Sequence, residues 1–421
     1  MLNIACSYAS RERYDIHPVK SEVAVFNSDI HPSDWQDAEI WEINEAPARV
    51  VPQYSHLGVV RSTANRGQIS LNFKKKLTTG RRTLYSLMGA GLHGMNGLTP
   101  PVSLHVYATY VIPRMLSGLE SSMITTAEMT ELEKFHRATL RCFQHLPERT
   151  AKAAIYLLIG SLPIEAILDV RYLSLFGSIV RCHSSKVHEV MKRQIIMKDL
   201  KDADWFSYVR RLLIKYNLPS AHDVTLVSPT KLDWKKRVKS AVGTFWSDRL
   251  MQDADEKSSL RYISFPTIGT PHNIWKACGH DKRSVRRATI KAKLMTGTYR
   301  LQANQSLWRP GKPSDALCTV CKRAPEDRLH FVVLCEALHH IRLDFWVKLD
   351  LHLRQYSLID LPVFSDLSPD VKLQLILDCT HPSVTWLVAD DPELHLQIED
   401  LATRMCFQLH LRRATLLDYN P

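Results

Sequence analysis

Three cysteines and one histidine lie within eighteen residues of the chain, at the spacing Cys-x2-Cys-x8-His-x4-Cys. They are Cys318, Cys321, His330 and Cys335. A structural zinc ion takes four sulfur or nitrogen ligands in a tetrahedron, and a Cys-x2-Cys turn can present two thiolates to one ion. The spacing therefore predicts a closed, four-ligand zinc site that stabilises a fold and does not activate water. The alternative is four ordinary residues in a chain that has nine cysteines.

Apolar residues bracket the histidine and predict a short helix, with His330 on its inner face and Cys335 about one turn further on. These apolar residues are Leu329, Phe331, Val332, Val333 and Leu334. Between the two ligand pairs, the sequence Pro-Glu-Asp that begins at Pro325 predicts a turn. His339 and His340 are nearby alternatives for the histidine ligand, but both follow the last cysteine.

The charge balance of the 421-residue chain is basic, with 55 Lys and Arg against 43 Asp and Glu and a net charge of +12. This balance favours polyanionic partners such as RNA or DNA. The nine cysteines are odd in number and scattered, which indicates a reducing compartment, nucleus or cytoplasm, and no disulfide framework. We recognise neither a signal peptide nor an apolar run long enough to cross a bilayer, so we expect a soluble protein with no membrane partner.

Residues 1–62 differ in pattern from the rest of the chain. Alternating apolar residues predict strands at 21–26, 40–44 and 54–60, after a helical fragment within residues 1–14. Three short strands and one helical fragment make a poor domain by themselves. We therefore interpret them as the tail of a larger α+β unit.

From residue 70 onward the apolar spacing is that of helices. It predicts helices at about 126–143, 151–159, 164–181, 187–200, 371–377 and 394–417, a basic helix within 281–300, and a kink at Pro113 in an earlier helix. The predicted fold class is mainly α with a small α+β part at the N-terminus. The length allows two to four compact units.

Two basic segments are candidates for contact with nucleic-acid phosphates, which is electrostatic and salt-dependent. The first segment, with no acid among its residues, contains Lys74, Lys75, Lys76, Arg81 and Arg82. The second lies within residues 281–300, where helical spacing places four cations on one face: Arg283, Arg286, Arg287 and Lys291. The alternative is that each run is an ordinary solvated helix face.

Four short motifs resemble the reverse transcriptases of LINE-type (non-LTR) retrotransposons. Residues 16–26, Ile-His-Pro-Val-Lys-Ser-Glu-Val-Ala-Val-Phe, are similar to the motif before the last palm strand, with His17 where that family usually has Asn. Residues 54–60, Tyr-Ser-His-Leu-Gly-Val-Val, resemble the primer-grip hairpin, with two extra residues between Tyr and Leu. Residues 296–302, Thr-Gly-Thr-Tyr-Arg-Leu-Gln, and 330–335, His-Phe-Val-Val-Leu-Cys, are similar to the zinc-binding region that follows the polymerase.

The resemblance implies that the chain is the C-terminal part of such a protein, in five parts. These are a palm remnant with a primer-grip-like hairpin at 1–62, a thumb-like helical region at 63–150, a helical connection with the basic helix at 151–300, a CCHC-type zinc-binding module at 301–345 and an acidic helical tail at 346–421. In that family these parts grip a template–primer duplex and element RNA. The tail has nine acids against one lysine between 360 and 400, so we expect it either to pack back on a basic surface or to mask one.

We do not expect this chain to polymerise by itself. The family holds two divalent metals with aspartates of earlier motifs, including a Tyr/Phe-Ala-Asp-Asp turn, and no such turn precedes Ile16. Residues 388–391, Val-Ala-Asp-Asp, run into Pro392 and are interpreted as a loop. A polymerase would need an N-terminal extension or a partner chain that supplies the missing palm. We reject the nuclease that some relatives carry, because its two motifs would have to share Asp370.

The sequence leaves two hypotheses of function from different classes. The first is a zinc-stabilised protein that binds RNA or DNA without catalysis. The alternative is a helical scaffold or interaction protein with a structural zinc, the product of a decayed element.

Overall fold

A computed structural model describes residues 2–17, 20–26, 32–37, 41–43, 46–56, 58–63, 68–93, 97–308, 316–355 and 362–417, without the side chains of residues 2, 32, 46, 68, 69, 307 and 308. Within these residues the protein is mainly α-helical, and its strands lie in the N-terminal part. The predicted fold class is confirmed. Of the predicted strands and motifs, Pro18, Val19, Ile40, Asn44 and Leu57 lie outside the described residues.

The N-terminal part contains two helices and six short strands: α1 (Leu2–Arg11), β1 (Glu22–Val23), α2 (Pro32–Asp37), β2 (Glu42–Ile43), β3 (Ala46–Pro47), β4 (Arg49–Val50), β5 (Gln53–His56) and β6 (Val59–Ser62). β1 pairs with β4 in parallel, whereas β2 with β3 and β5 with β6 form antiparallel pairs. The strand predicted at 54–60 is therefore a hairpin, whose turn includes Gly58 at a φ of +78°. Glycine adopts this left-handed conformation without a steric penalty.

Ten helices follow: α3 (Gln68–Gly89), α4 (Pro100–Tyr110), α5 (Ile112–Leu116), α6 (Thr126–Phe143), α7 (Lys152–Ile159), α8 (Ile164–Arg181), α9 (Lys186–Met197), α10 (Trp205–Lys215), α11 (Ala221–Leu226) and α12 (Lys231–Asp255). Six more complete the described chain: α13 (Asn273–Lys276), α14 (Lys282–Met295), α15 (Gln302–Trp308), α16 (His339–Gln355), α17 (Pro369–Leu377) and α18 (Pro392–Leu416). The kink predicted at Pro113 is a break between α4 and α5.

Local capping explains where several helices begin. Thr125 accepts a hydrogen bond from the Glu128 N–H, and the Glu128 carboxylate accepts one from the Thr125 N–H, which is a capping box before α6. Asp281 accepts from the backbone N–H groups of Arg283 and Ser284 and so caps α14. These caps satisfy donors that the first helical turn leaves without a partner.

The helices from α3 to α14 and from α16 to α18 share one hydrophobic core. At its centre α8 packs on α12, where the Trp234 indole N–H donates to the carbonyl of Leu173 at 2.8 Å. The N-terminal part has its own small set of buried apolar residues, Ala9, Ile43, Ala48 and Val51. It joins the helices through the β5–β6 hairpin, which packs on α3. Val59 of this hairpin also lies against Gly118.

Among the described helices, none alone combines the length and the apolar composition needed to cross a membrane. α7 and α8 meet that test only when taken together, and they are bent by 63° relative to each other.

Candidate metal centre

The first half of the metal centre is a tight loop that brings Cys318 and Cys321 together. The Cys318 N–H donates to the Ala324 carbonyl at 2.7 Å, and the Lys322 N–H donates to the Cys318 carbonyl at 2.9 Å. Lys322 has a φ of +57°, so the chain reverses in the left-handed region. Pro325 then pairs with Leu317 in an isolated β-bridge. The loop therefore presents both cysteines from one short, hydrogen-bonded turn.

The second half is a π-helical turn at His330–Leu334, in which the Cys335 N–H donates to the His330 carbonyl at 2.7 Å. The short helix predicted here is confirmed, but its turn is wider than an α-helical one, so that Cys335, five residues after His330, lies one π-helical turn further on. Asp327 accepts from the His330 N–H at 2.7 Å and fixes the start of the turn. Both ends of this ligand segment are therefore held by side chains, since Arg342 binds the other end.

Arg342 is a fully buried guanidinium that sequence reasoning did not identify. It donates to the carbonyls of Val332 at 2.8 Å, Cys335 at 2.7 Å and Phe331 at 2.9 Å. Burial lowers the pKa of Arg342 to about 10, which leaves it charged at neutral pH. A positive charge thus lies beside the ligand segment, where it would offset part of the negative charge of thiolate ligands.

The four predicted ligands come together at one point. The Sγ atoms of Cys318, Cys321 and Cys335 and a ring nitrogen of His330 all lie within 4.8 Å of one another. The two Sγ atoms of Cys318 and Cys335 are 3.9 Å apart, and His330 Nε2 lies 3.2 Å from Cys321 Sγ. This arrangement could hold a metal ion. His339, the first of the two alternative histidines, lies on the exposed side of α16 and is outside the cluster.

Burial and mutual proximity shift the pKa values of the four clustered side chains. Burial, and then the neighbouring Cys318 and Cys321, raise the pKa of Cys335 to about 12, and burial raises that of Cys318. Burial opposes ionisation of Cys321, but the backbone N–H of Arg323, the side chains of Cys318 and Cys335 and the backbone N–H of Ala324 together outweigh it and lower its pKa. Burial lowers the pKa of His330, which favours the neutral ring that ligates a metal. Three thiolates this close together repel one another, so a bound cation would favour their deprotonation.

Two charged side chains attach residues 318–330, called the metal loop from here on, to the helices around them. Glu326, which is fully buried, accepts two 2.7 Å hydrogen bonds from Arg413 of α18 and one from the Gln302 N–H of α15. Arg328 donates to the carbonyl of Met295 at the end of α14 and lies over the Tyr262 ring. The metal loop, α14, α15 and α18 therefore form one connected structure.

The cations predicted on α3 are not equally accessible. Lys74, Lys75 and Arg82 are exposed, and Lys75 donates to Ser55 of β5. Lys76 is buried, and Arg81 forms an ion pair with Glu131 of α6 at 3.0 Å. Phosphate contact by Lys76 was therefore a wrong prediction, because α3 turns this side chain into the protein.

On α14 the predicted cationic face is divided between solvent and core. Arg283 and Arg286 are exposed, and Arg287 is half-buried. Lys291 is fully buried and pairs with Glu399 of α18, so its prediction as a phosphate contact was wrong. The pairing shows that α18 packs against α14. α18 also reaches the N-terminal half of α14, where Phe407 lies 5.9 Å from the Arg286 guanidinium, but Arg283 and Arg286 remain exposed.

The two acidic motifs, residues 388–391 and Asp370, both lie at the start of a helix. Asp391, the last residue of Val-Ala-Asp-Asp, caps α18 by accepting from the Glu393 and Leu394 N–H groups. The loop interpretation is confirmed. Lys372, two residues after Asp370, donates to the Ser365 carbonyl at 2.6 Å.

No protein-family model matches this sequence, and no curated protein matches it.

Proposed function

We propose that Cys318, Cys321, His330 and Cys335 hold a structural zinc ion. Tetrahedral zinc with Zn–S bonds of about 2.3 Å places two ligand sulfurs about 3.8 Å apart. The 3.9 Å between Cys318 Sγ and Cys335 Sγ fits this geometry. Four sulfur and nitrogen ligands leave no open position for water, so the ion would stabilise the fold and would not catalyse a reaction.

We further propose that the protein binds RNA or DNA through the N-terminal half of α14. The observation that carries this proposal is the exposure of Arg283 and Arg286 on a helix that Arg328 of the metal loop fixes at its other end. A cationic face held rigidly in this way loses little conformational freedom when it contacts phosphates. The chain's net charge of +12 supports the same class of partner.

The resemblance to LINE-type reverse transcriptases gives this proposal a biological setting. The motif at 54–60 lies in the β5–β6 hairpin, which packs on α3, and the motif at 330–335 contains two of the four clustered ligands. We therefore propose that the chain corresponds to the end of the palm, the thumb and the zinc-binding region of such a protein. Catalysis is not part of the proposal, because Asp390 and Asp391 lie in the loop that caps α18.

The zinc is tested by measuring metal bound to purified protein, with a Cys318→Ser/Cys321→Ser variant beside it. One zinc per chain, lost in the variant, is the expected result. Cys142→Ser/Cys182→Ser is the control, because both cysteines are exposed and lie outside the cluster. Absence of zinc from the wild-type protein after purification in zinc-containing buffer would contradict the proposal.

Nucleic-acid binding is tested by the salt dependence of affinity for RNA and for DNA. Each phosphate contact contributes about 0.7–0.9 to the slope of log affinity against log salt concentration. Arg283→Ala/Arg286→Ala should therefore reduce the slope by roughly 1.5. Lys192→Ala/Arg193→Ala, which removes the same charge from the exposed face of α9, should leave it unchanged. Negligible binding at physiological salt would favour the scaffold hypothesis instead.

A further inference from the structure

A concave cavity of about 540 Å³ lies beside the metal loop. Its walls come from the loop after α6, the C-terminal half of α14, the turn before α15, α15 itself and the end of α18. Small-molecule sites in proteins span about 300–1,000 Å³. The cavity therefore has the size of a ligand site, and it is separate from both the metal ligands and the exposed end of α14.

Cations line this cavity without any acid. Arg149, Lys293, Arg300 and Arg413 contribute to its wall, and none of its described lining residues is Asp or Glu. Arg413 is neutralised by Glu326, and Arg149 donates to the carbonyl of Thr298 at 2.9 Å. Within the described chain, neither Lys293 nor Arg300 forms an ion pair. Two positive charges thus face the cavity without an acidic partner.

The positively charged side chains that line the cavity also lower one another's pKa values. Burial lowers the pKa of Lys293, and Arg300 and Arg149 lower it further. Burial and Arg300 likewise lower the pKa of Arg149. Cations that repel one another at the edge of a cavity attract an anion, because the anion removes the repulsion and gains charged hydrogen bonds.

The rest of the lining is mixed in character. The amide side chains of Gln302 and Gln305 are half-buried at one side, while Ile290, Ala414 and Leu417 supply an apolar surface. A bare inorganic anion would leave that apolar surface unused. A nucleotide combines a dianionic phosphate with a flat base that has apolar faces and hydrogen-bonding edges, so it matches both parts of the lining.

We propose that this cavity binds a single nucleotide through its phosphate monoester, either free or at the 5′ end of a strand. Lys293 and Arg300 contact the phosphate, and the Gln302 and Gln305 side provides polar partners for the base. For a strand end, the proposal rests on the proposed nucleic-acid binding. For a free nucleotide, it stands independently.

The test compares four probes by calorimetry: inorganic phosphate, adenosine monophosphate, a short 5′-phosphorylated RNA and the same RNA with a 5′-hydroxyl. We expect adenosine monophosphate to bind more tightly than inorganic phosphate, and Arg300→Gln to weaken it by about tenfold or more, as loss of one charged contact requires. Arg300→Lys should retain part of the affinity. Lys192→Gln, an exposed position on α9, should change nothing.

The outcomes separate the two sources of ligand. If the phosphorylated RNA binds more tightly than the hydroxyl RNA and Arg300→Gln removes the difference, the ligand is a strand end. If adenosine monophosphate binds while the two RNAs bind alike or not at all, the ligand is a free nucleotide. If adenosine monophosphate does not bind and the two RNAs are indistinguishable in wild type and Arg300→Gln, the proposal is overturned, whether or not α14 binds nucleic acid.

Discussion

The ammonium nitrogen of Lys291 on α14 lies 2.5 Å from Oε1 of Glu399 on α18, and both side chains are only 1% exposed. Thr403 Oγ1 lies 3.4 Å from the same carboxylate oxygen. A buried ion pair of this kind is costly to separate, because each charge left alone keeps its desolvation penalty without compensation. The pair therefore connects α18, which lies in the acidic tail, to the basic helix α14.

Removal of one partner of this pair should destabilise the protein strongly. We expect Lys291→Met to lower the free energy of unfolding by about 3–5 kcal/mol, because it leaves the Glu399 carboxylate buried alone. Lys291→Met/Glu399→Leu should recover most of that loss. Urea unfolding measures the free energy of unfolding of the single and the double variant. Lys348→Met is the control, since the Lys348–Asp344 pair is exposed and should contribute less than about 1 kcal/mol. Equal losses of unfolding free energy in Lys291→Met and Lys348→Met would contradict the prediction.

Lys291 also illustrates what the sequence could not provide. Its spacing from Arg283, Arg286 and Arg287 predicts a shared helical face, and that local inference is reasonable. The partner that determines its burial, Glu399, lies 108 residues further along the chain. No local pattern identifies such a pair.

The helices whose bounds were predicted correctly are specified by residues that lie close to their ends in the sequence. α6 and α8 have the predicted bounds, because Thr125 and Glu128 form a capping box and Pro163 precedes the first turn of α8. The metal ligands were also predictable, since three short spacings encode them. The role of Arg342 and the bounds of α16 were not predicted, because the local sequence gives no clear signal for them. In α16 Arg342 is buried together with Leu349 and Leu353, while Leu343 and Val347 are exposed, so the helix has no simple amphipathic pattern.

Arg342 should contribute both to stability and to metal affinity. Arg342→Met removes three hydrogen bonds to buried carbonyls and a positive charge beside Cys335. We expect unfolding free energy to fall by about 3 kcal/mol or more and zinc affinity to fall by roughly 10–100-fold. Competition with a chromophoric chelator measures the affinity.

The control for this prediction lies on the same helix. Arg354→Met removes an arginine that pairs with Asp350 nearer the surface, and it should change zinc affinity little. If Arg342→Met lowers stability but leaves zinc affinity unchanged, Arg342 supports the fold alone and not the metal ligands.

Asp378 should give the protein a stability that depends on pH in the acid range. Its carboxylate accepts hydrogen bonds from the Ser264 N–H, His272 Nε2 and both the N–H and hydroxyl of Thr380. Burial alone would raise its pKa, but His272 and these hydrogen bonds outweigh burial and hold the pKa at about 2. The unfolded chain has the ordinary aspartate pKa of about 3.9.

Because the folded pKa is the lower one, this stabilisation is present above about pH 4 and is lost as pH falls toward 2. Its size is on the order of 2–3 kcal/mol. Asp378→Asn should lower stability at neutral pH and flatten the decline between these pH values, which urea unfolding at a series of pH values would reveal. Asp370→Asn, an exposed position on α17, makes none of these hydrogen bonds and should leave the decline intact. A wild-type decline that Asp378→Asn does not alter would refute the assignment.

Two helical glycines should respond in opposite directions to the same substitution. Helix propensity alone predicts that Gly→Ala stabilises a helix interior by about 1 kcal/mol. At Gly243 of α12 a Cβ would meet no atom within 4 Å, so Gly243→Ala should stabilise the protein by about this amount. At Gly177 of α8 a Cβ would lie only 2.3 Å from Cδ1 of Trp234.

Trp234 cannot move aside easily, because its indole N–H is bonded to Leu173 and its side chain is buried. Overpacking of this kind typically costs about 1–3 kcal/mol, which exceeds the gain in propensity. Gly177→Ala should therefore lower the unfolding free energy by up to about 2 kcal/mol and perturb tryptophan fluorescence, whereas Gly243→Ala should raise it. Stabilisation by both substitutions would mean that α8 and α12 are packed less closely at Trp234 than the structure indicates.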